Sequence, residues 1–289
     1  MRHKLILSRL SNDWKARQAQ MLAYGAHLRR QYEDRVQYWR SRAQSRIRAL
    51  SVRQLMNVTV ILDSIDHAKL RWPRSLLLQS KDFASFARPY LTCTGVIIHG
   101  HLAMLAISEN HVSADSSRTT EIVMHALERL QRKMIDVRMI ELILQSDNCS
   151  KEGKNNTLLR TLAGLVASRR LGRCECRYLE SGHSHEDVDA WFGQLAGFIE
   201  QHQDVPTPEA FTELLTAFLH AQPRQNEEER VVVKLDQVRD WKHFMSENTH
   251  HVHVKGIGGP GAPHVMALDV YEDIQGEGPL NLAHESVSS

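Results

Sequence analysis

The sequence predicts an α/β fold, a mixed sheet of five strands flanked by helices. Two observations predict it. Between Asn57 and Gln201, β-branched apolar runs and helical patterns follow one another in the order three strands, helix, strand, helix, strand, helix. A chain of 289 residues with 42% hydrophobic side chains also has enough apolar surface for a sizeable core. In this order the first three strands are expected to be antiparallel, with the fourth lying beside the first.

Each element has its own signal. Residues Ser11 to Ser51 are rich in Arg, Gln, Ala and Leu, contain no Pro, and read as one or two helices. NVTVILDSID (Asn57 to Asp66) is a buried strand ending in carboxylates, closed by Trp72-Pro73-Arg74. LTCTGVIIHG and HLAMLAISEN are two strands turning back on each other at Gly100-His101. Ser116 to Asp136 carries a helical stripe of Ile122, Leu127, Leu130 and Met134. RMIELILQSDN is the fourth strand, again ending on an Asp. Lys154 to Arg170 is helical, CECRYLES (Cys174 to Ser181) is a short fifth strand, and Ser184 to Gln201 is a helix with the stripe Val188, Trp191, Phe192, Leu195 and Ile199. A further helix is expected over Val205 to Ala221, then a strand (Arg230 to Leu235), a short helix around Trp241, the turn GIGGPGAPH and a strand from Val265 to Tyr271.

The expected organisation is therefore a basic helical segment (1–56), a sheet domain (57–222), a small C-terminal α+β extension (223–273) and a disordered tail (274–289). The net charge of +2 hides an asymmetry: up to Asn57 there are 13 Lys+Arg against 3 Asp+Glu. Such an arm suits a polyanion, because phosphate neutralisation carries much of nucleic-acid affinity. An Arg-rich solvated helix accounts for it equally well. The four cysteines include no CxxC pair or Cys/His ligand spacing, so a zinc finger or disulfide scaffold is not indicated. No apolar run reaches the roughly 18 residues that span a bilayer. An intracellular, non-membrane protein is expected.

Three acidic sites fall where this order brings element ends together. Asp63 lies in the first strand, Asp147 ends the fourth, and Glu186, Asp187 and Asp189 open the helix after the fifth. Neighbouring carboxylates repel and are best tolerated with a cation between them; Mg²⁺ or Mn²⁺ suits oxygen ligands, and a pair of such ions serves in-line displacement at phosphorus. Each acid also has a plainer role as a turn former or cap, and Ser184 to Asp187 fits a capping box. Asp189, one turn before Phe192, is expected to point towards the sheet edge; it is the first choice of third ligand, ahead of Asp187. His183 and His185 could meet a metal or phosphate, or simply bond backbone groups. Asn148, Lys154, Asn155 and Asn156 form a polar group beside Asp147, either capping the next helix or orienting a phosphate. His99, His101 and the run His250 to His253 have no third ligand at recognisable spacing, so zinc is not expected.

The segments DSIDHAKLRWPR, LQSDNCSKEGKNN, LESGHSHEDVDAWFGQL and the late RDWK…GIGGPGAPH resemble an uncharacterised eukaryotic transposase-like domain family. The resemblance runs from about Asn57 to Leu195, with its late motifs reaching about His264. It implies an RNase-H-like, retroviral-integrase-type catalytic domain over 57–222. It places the first acid at Asp63, the second at Asp147 and the third within His183 to Asp189. It also implies that Asp66, Lys69, Asn148, Lys154, Asn155, His183, His185 and Glu186 line the site.

The leading functional expectation is metal-dependent DNA cleavage and strand transfer by Asp63, Asp147 and Asp189 or Asp187 with two Mg²⁺ or Mn²⁺ ions. Transposon ends and target DNA would be the partners of a nuclear homo-oligomer. The alternatives are an inactive nucleic-acid-binding or assembly protein of the same fold, and a nuclease acting on RNA. No zinc-binding or helix-turn-helix module precedes the sheet domain, which makes a fragment or a domesticated copy part of the expectation. Fold alone does not establish activity.

Overall fold

The computed structural model describes residues 13–47, 55–75, 87–147, 155–179, 186–202, 204–222, 228–249 and 265–268. The GIGGPGAPH turn and the tail beyond 273 lie outside these residues. Strand β1 (Met56–Ser64) is central because its sequence is buried without alternation over Val58–Leu62. A strand buried on both faces needs helices on both. Strands β2 (Leu91–Ile98) and β3 (Leu102–Glu109) form a hairpin whose turn places Gly100 at φ +84°, a conformation that costs glycine nothing.

β1 pairs antiparallel with β2, Asp63 opposite Gly95, and parallel with β4 (Ile140–Asp147), Ile61 opposite Gln145. β5 (Arg173–Leu179) runs parallel outside β4. The expected pairing is therefore found: three antiparallel strands and the fourth beside the first. The expected number of strands is corrected from five to seven. β6 (Glu229–Lys234) lies parallel to β3 and β7 (Val265–Leu268) antiparallel to β5, giving the order β6-β3-β2-β1-β4-β5-β7. The C-terminal segment, expected as a small extension, thus supplies both edges of the same sheet. The reason is physical: the β3 run Leu102–Ile107 is buried throughout, and an apolar strand left at an edge is an aggregation template.

Among the described residues there are six α-helices. On one face α2 (Ser116–Arg132) and α3 (Asn156–Ala167) close a core with Val58, Val60, Leu62, Leu142 and Leu144. Helix α6 (Trp241–Asn248) packs against both. On the other face α4 (Glu186–Gln201) and α5 (Pro208–Ala221) bring Trp191, Phe192, Leu195, Phe211 and Phe218 onto Ile65, Cys93, Leu105 and Ile107. The long helix α1 (Trp14–Ser45) reaches β1 and β2: Ser45 Oγ accepts from the Thr59 N–H (3.0 Å) and donates to the His99 carbonyl (2.9 Å). Caps set the helix starts, with Asp13, Asp115, Asn155, Thr207 and Asp240 each accepting from a first-turn N–H.

The Arg239-Asp240-Trp241-Lys242 motif pins α6 to α2. Arg239 donates to buried Glu121 (Nε–Oε2 3.0 Å, Nη2–Oε1 2.8 Å), as does Trp241 Nε1 (2.6 Å). Burial opposes ionisation of Glu121, but the Arg239 and Trp241 hydrogen bonds outweigh it and hold its carboxyl below the usual range. Among the described residues no helix is long and apolar enough to cross a membrane.

Candidate active site

The β1–β4 register runs as far as Ile61 opposite Gln145; the same offset carried two residues further would set Asp63 level with Asp147. Level residues on neighbouring parallel strands share a face, and alternation assigns this one to the side of Ile61 and Ile65. Ile65 belongs to the core beneath α4 and α5. Asp63 is thus on the α4 side of the sheet, half-buried, with its Oδ1 accepting from the Ser64 N–H (2.8 Å). Asp147 is described in its backbone, opposite Leu179 of β5; its side chain lies outside the described residues.

The third acid is not delivered as expected. Asp189 is exposed, on the solvent side of α4, so its expected orientation towards the sheet edge is corrected. Asp187 points inward and is already engaged. Arg42 Nη1 donates to both of its oxygens (2.6 and 2.7 Å), and Tyr38 Oη donates to Oδ2 (2.7 Å). Burial works against its ionisation, but the Arg42 and Tyr38 hydrogen bonds and the Arg42 charge prevail and lower its pKa.

Tyr38 also lies 2.7 Å from Nε2 of His99, and both are buried. Burial, only partly offset by the Asp187 charge, lowers the His99 pKa from 6.5 to about 4, so the ring is neutral near pH 7. An ionised carboxylate only accepts, so the phenol proton goes to Asp187, and the phenol oxygen must accept from a protonated Nε2. Burial and the neighbouring Asp187 charge raise the Tyr38 pKa, keeping its proton in place. The chain Arg42, Asp187, Tyr38, His99 therefore has one consistent proton arrangement, tying α1, α4 and the end of β2 together.

Beneath α4, Gly95 clears the aromatic rings. A Cβ there would lie 2.8 Å from Phe192 Cε1 and 2.9 Å from Trp191 Cζ3. The residue opposite Asp63 is thus the one that lets α4 approach the sheet. On the opposite face buried Arg118 donates to Thr94 Oγ1 (2.7 Å), which shares a hydrogen bond with Ser64 Oγ (2.9 Å).

The remaining expected site residues divide in two. Asp66 is exposed and caps a 3-10 turn through the Ala68 N–H (2.9 Å), exposed Lys69 meets Glu200 at 3.4 Å, and Asn155 caps α3 through the Leu158 N–H (2.8 Å). For Asn155 this is the helix-capping role, one of the two that the sequence offers. Asn148, Lys154, His183, His185 and the side chain of Glu186 lie outside the described residues. Among the described residues no three His, Cys, Asp or Glu side chains gather as a metal site. Tyr38, Arg42 and Arg118 go unread in sequence, and His99 is considered there only as a zinc ligand. Tyr38 and Arg42 are one turn apart, which marks a shared helix face, but nothing local names a partner more than a hundred residues away.

The fold defines an α/β protein with a mixed seven-stranded sheet, in which β1 carries Asp63 near its end and the neighbouring parallel strand β4 ends on Asp147. Residues 83–257 match the family described as Domain of unknown function (DUF7869), and the chain belongs to that family. The matched stretch contains Asp147, Asp187 and Asp189, and Asp63 precedes it. No curated protein and no solved structure matches the chain.

Proposed function

We propose that this sheet is an RNase-H-like core that cleaves and joins DNA phosphodiesters with divalent metal ions, as transposases and integrases do. The observation that supports the reading is the parallel β1–β4 register through Ile61 and Gln145, which, continued by two residues, would set Asp63 level with Asp147. Two carboxylates so placed repel, and a hard divalent cation between them removes the cost. Such oxygen donors fit Mg²⁺ or Mn²⁺, with Asp63 and Asp147 holding the metal and a carboxylate from Glu186 to Asp189 completing the set. Two bound ions would supply activation of the attacking oxygen and stabilisation of the leaving one. The chain's own part is positional: the Ser64 N–H orients Asp63, and Gly95 sets the distance of α4. Exposed Lys15, Arg17, Arg29, Arg30 and Arg40 on α1 would neutralise DNA phosphates. A nuclear location follows from DNA as substrate.

A second reading, a nucleic-acid-binding or assembly protein without catalysis, is favoured by one observation. Asp187 is paired with Arg42 and Asp189 is exposed, so neither of these two carboxylates is free on the sheet side of α4. Incubation of purified protein with supercoiled plasmid and Mn²⁺ or Mg²⁺ separates the readings. Metal-dependent nicking, absent with EDTA, supports the first; DNA retention without nicking selects the second. Preferential cutting of an RNA–DNA hybrid would replace DNA with RNA as substrate.

A further inference from the structure

The apolar residues of α1 are on the wrong side for its own core. Every buried residue of the helix lies at Gln31 or later: Gln31, Tyr38, Ser41 and Ser45. Trp14, Met21, Leu28, Tyr32 and Trp39 are exposed at 70%, 55%, 45%, 63% and 41%; Leu22, also 70% exposed, lies about 100° to their other side. At about 100° per residue these five fall in one stripe, about 110° round the helix from Tyr38. With Gln18, Gly25 and Arg35 they complete an alternating spacing of four and three from Trp14 to Trp39, the seam spacing of a coiled coil.

We propose that α1 pairs with α1 of a second copy of this chain as an antiparallel two-helix seam. The inference stands on α1 alone and does not need the catalytic reading. The occupant is named by the self-complementarity of the stripe. Inverted about its centre, the sequence puts Trp14 against Trp39 of the partner subunit, Gln18 against Arg35 of the partner subunit, and Met21 against Tyr32 of the partner subunit. Gly25 then meets Leu28 of the partner subunit. Apolar meets apolar, polar meets polar, and the one seam position without a side chain receives a Leu. A parallel pairing would stack Gly25 on Gly25 of the partner subunit and Arg35 on Arg35 of the partner subunit, a void and a like-charge contact.

The exposed surface of the five residues on two copies is at most on the order of 1,400 Å², so the contact would be at the small end of the about 1,200–2,000 Å² of stable interfaces. The seam is to one side of the anchored face, with Arg35 half-buried at their border. In the antiparallel arrangement each copy's half from Trp14 to Leu28 runs beside the anchored half of its partner.

The test uses the full chain. Sedimentation equilibrium at micromolar concentration should give twice the 33.1 kDa of one chain. The doubly substituted M21E/L28E protein should run as a folded monomer, its melting temperature lower than that of the wild type only by the concentration-dependent part that dimerisation adds, since both residues are exposed in one copy. Direction is read separately by bismaleimide cross-linking of Trp14→Cys and Trp39→Cys proteins, with the unsubstituted chain as blank. The mixture should form cross-linked dimers and neither variant alone should do so. A monomeric wild type overturns the proposal, as does a dimer indifferent to M21E/L28E. Self-linking of Trp14→Cys overturns the antiparallel pairing. A monomer that M21E/L28E destabilises would assign the stripe to another segment of the same chain.

Discussion

The Tyr38 hydroxyl lies 2.7 Å from Asp187 Oδ2 and 2.7 Å from His99 Nε2, so one phenol joins residues from α1, α4 and the end of β2. Removing it in Tyr38→Phe leaves the buried His99 N–H without its acceptor. The loss is expected to be about 1–3 kcal/mol of unfolding free energy, the usual cost of a stranded buried donor. Urea unfolding of the two proteins measures it, and a difference within about 0.5 kcal/mol, the range of ordinary surface changes, would mean the network is idle.

The same network predicts an acid limb in stability. Unfolded His99 takes a proton near pH 6.5, while the folded ring, desolvated by burial, resists until about pH 4. The unfolded state therefore binds more protons between these values, and stability is lost as pH falls through that window, by up to about 3 kcal/mol. Asp187, its pKa lowered despite burial by the hydrogen bonds from Arg42 and Tyr38, adds a further loss at lower pH. Melting temperatures from pH 8 to pH 4 should show the slope, and His99→Gln should flatten it. An equal slope in both proteins would remove His99 from the account.

Gly95→Ala tests whether close approach of α4 matters. Its Cβ would overlap two aromatic rings that have no room to retreat from a buried core. Overpacking of this kind costs about 1–3 kcal/mol. A thermal shift assay should record the loss; a variant as stable as the parent would show that α4 is free to move out.

Arg239→Ala strands the Glu121 carboxylate, which is 7% exposed. Arg239 itself is 63% exposed, so water screens the pair and the expected cost falls to about 1–2 kcal/mol, below the about 3–5 kcal/mol of a fully buried pair. Glu121→Gln in the same background should recover part of the loss. Failure of that rescue would count against a charge-based origin.

Asp63→Asn addresses the proposed chemistry. It should abolish metal-dependent nicking and reduce Mn²⁺ binding by calorimetry, while leaving the metal-free melting temperature unchanged or slightly raised, because the proposed site would lose one of its like charges. A large destabilisation without metal would make Asp63 a structural residue.

Much of the sheet was legible because strands buried on both faces carry continuous apolar runs, as in Val58–Leu62, and their ends carry the acids. The edge strands were harder to place: nothing in Arg230 to Leu235 or Val265 to Tyr271 names the distant strand each will join. The choice between Asp187 and Asp189 shows the limit within one helix. Each stands about 100° to one side of Val188, at the centre of the α4 stripe, so periodicity treats them alike. Only the arrival of α1, an element from the other end of the sequence, covers the Asp187 side.

The two edge pairings also set a schedule. Leu102 of β3 finds its partner at Glu229, and Cys174 of β5 finds its partner at Leu268. At about 5–20 residues per second, a ribosome delivers β6 roughly 6–25 s after β3. During that interval the nascent sheet presents an open apolar strand, and the growing chain depends on whatever shields it until its last quarter emerges.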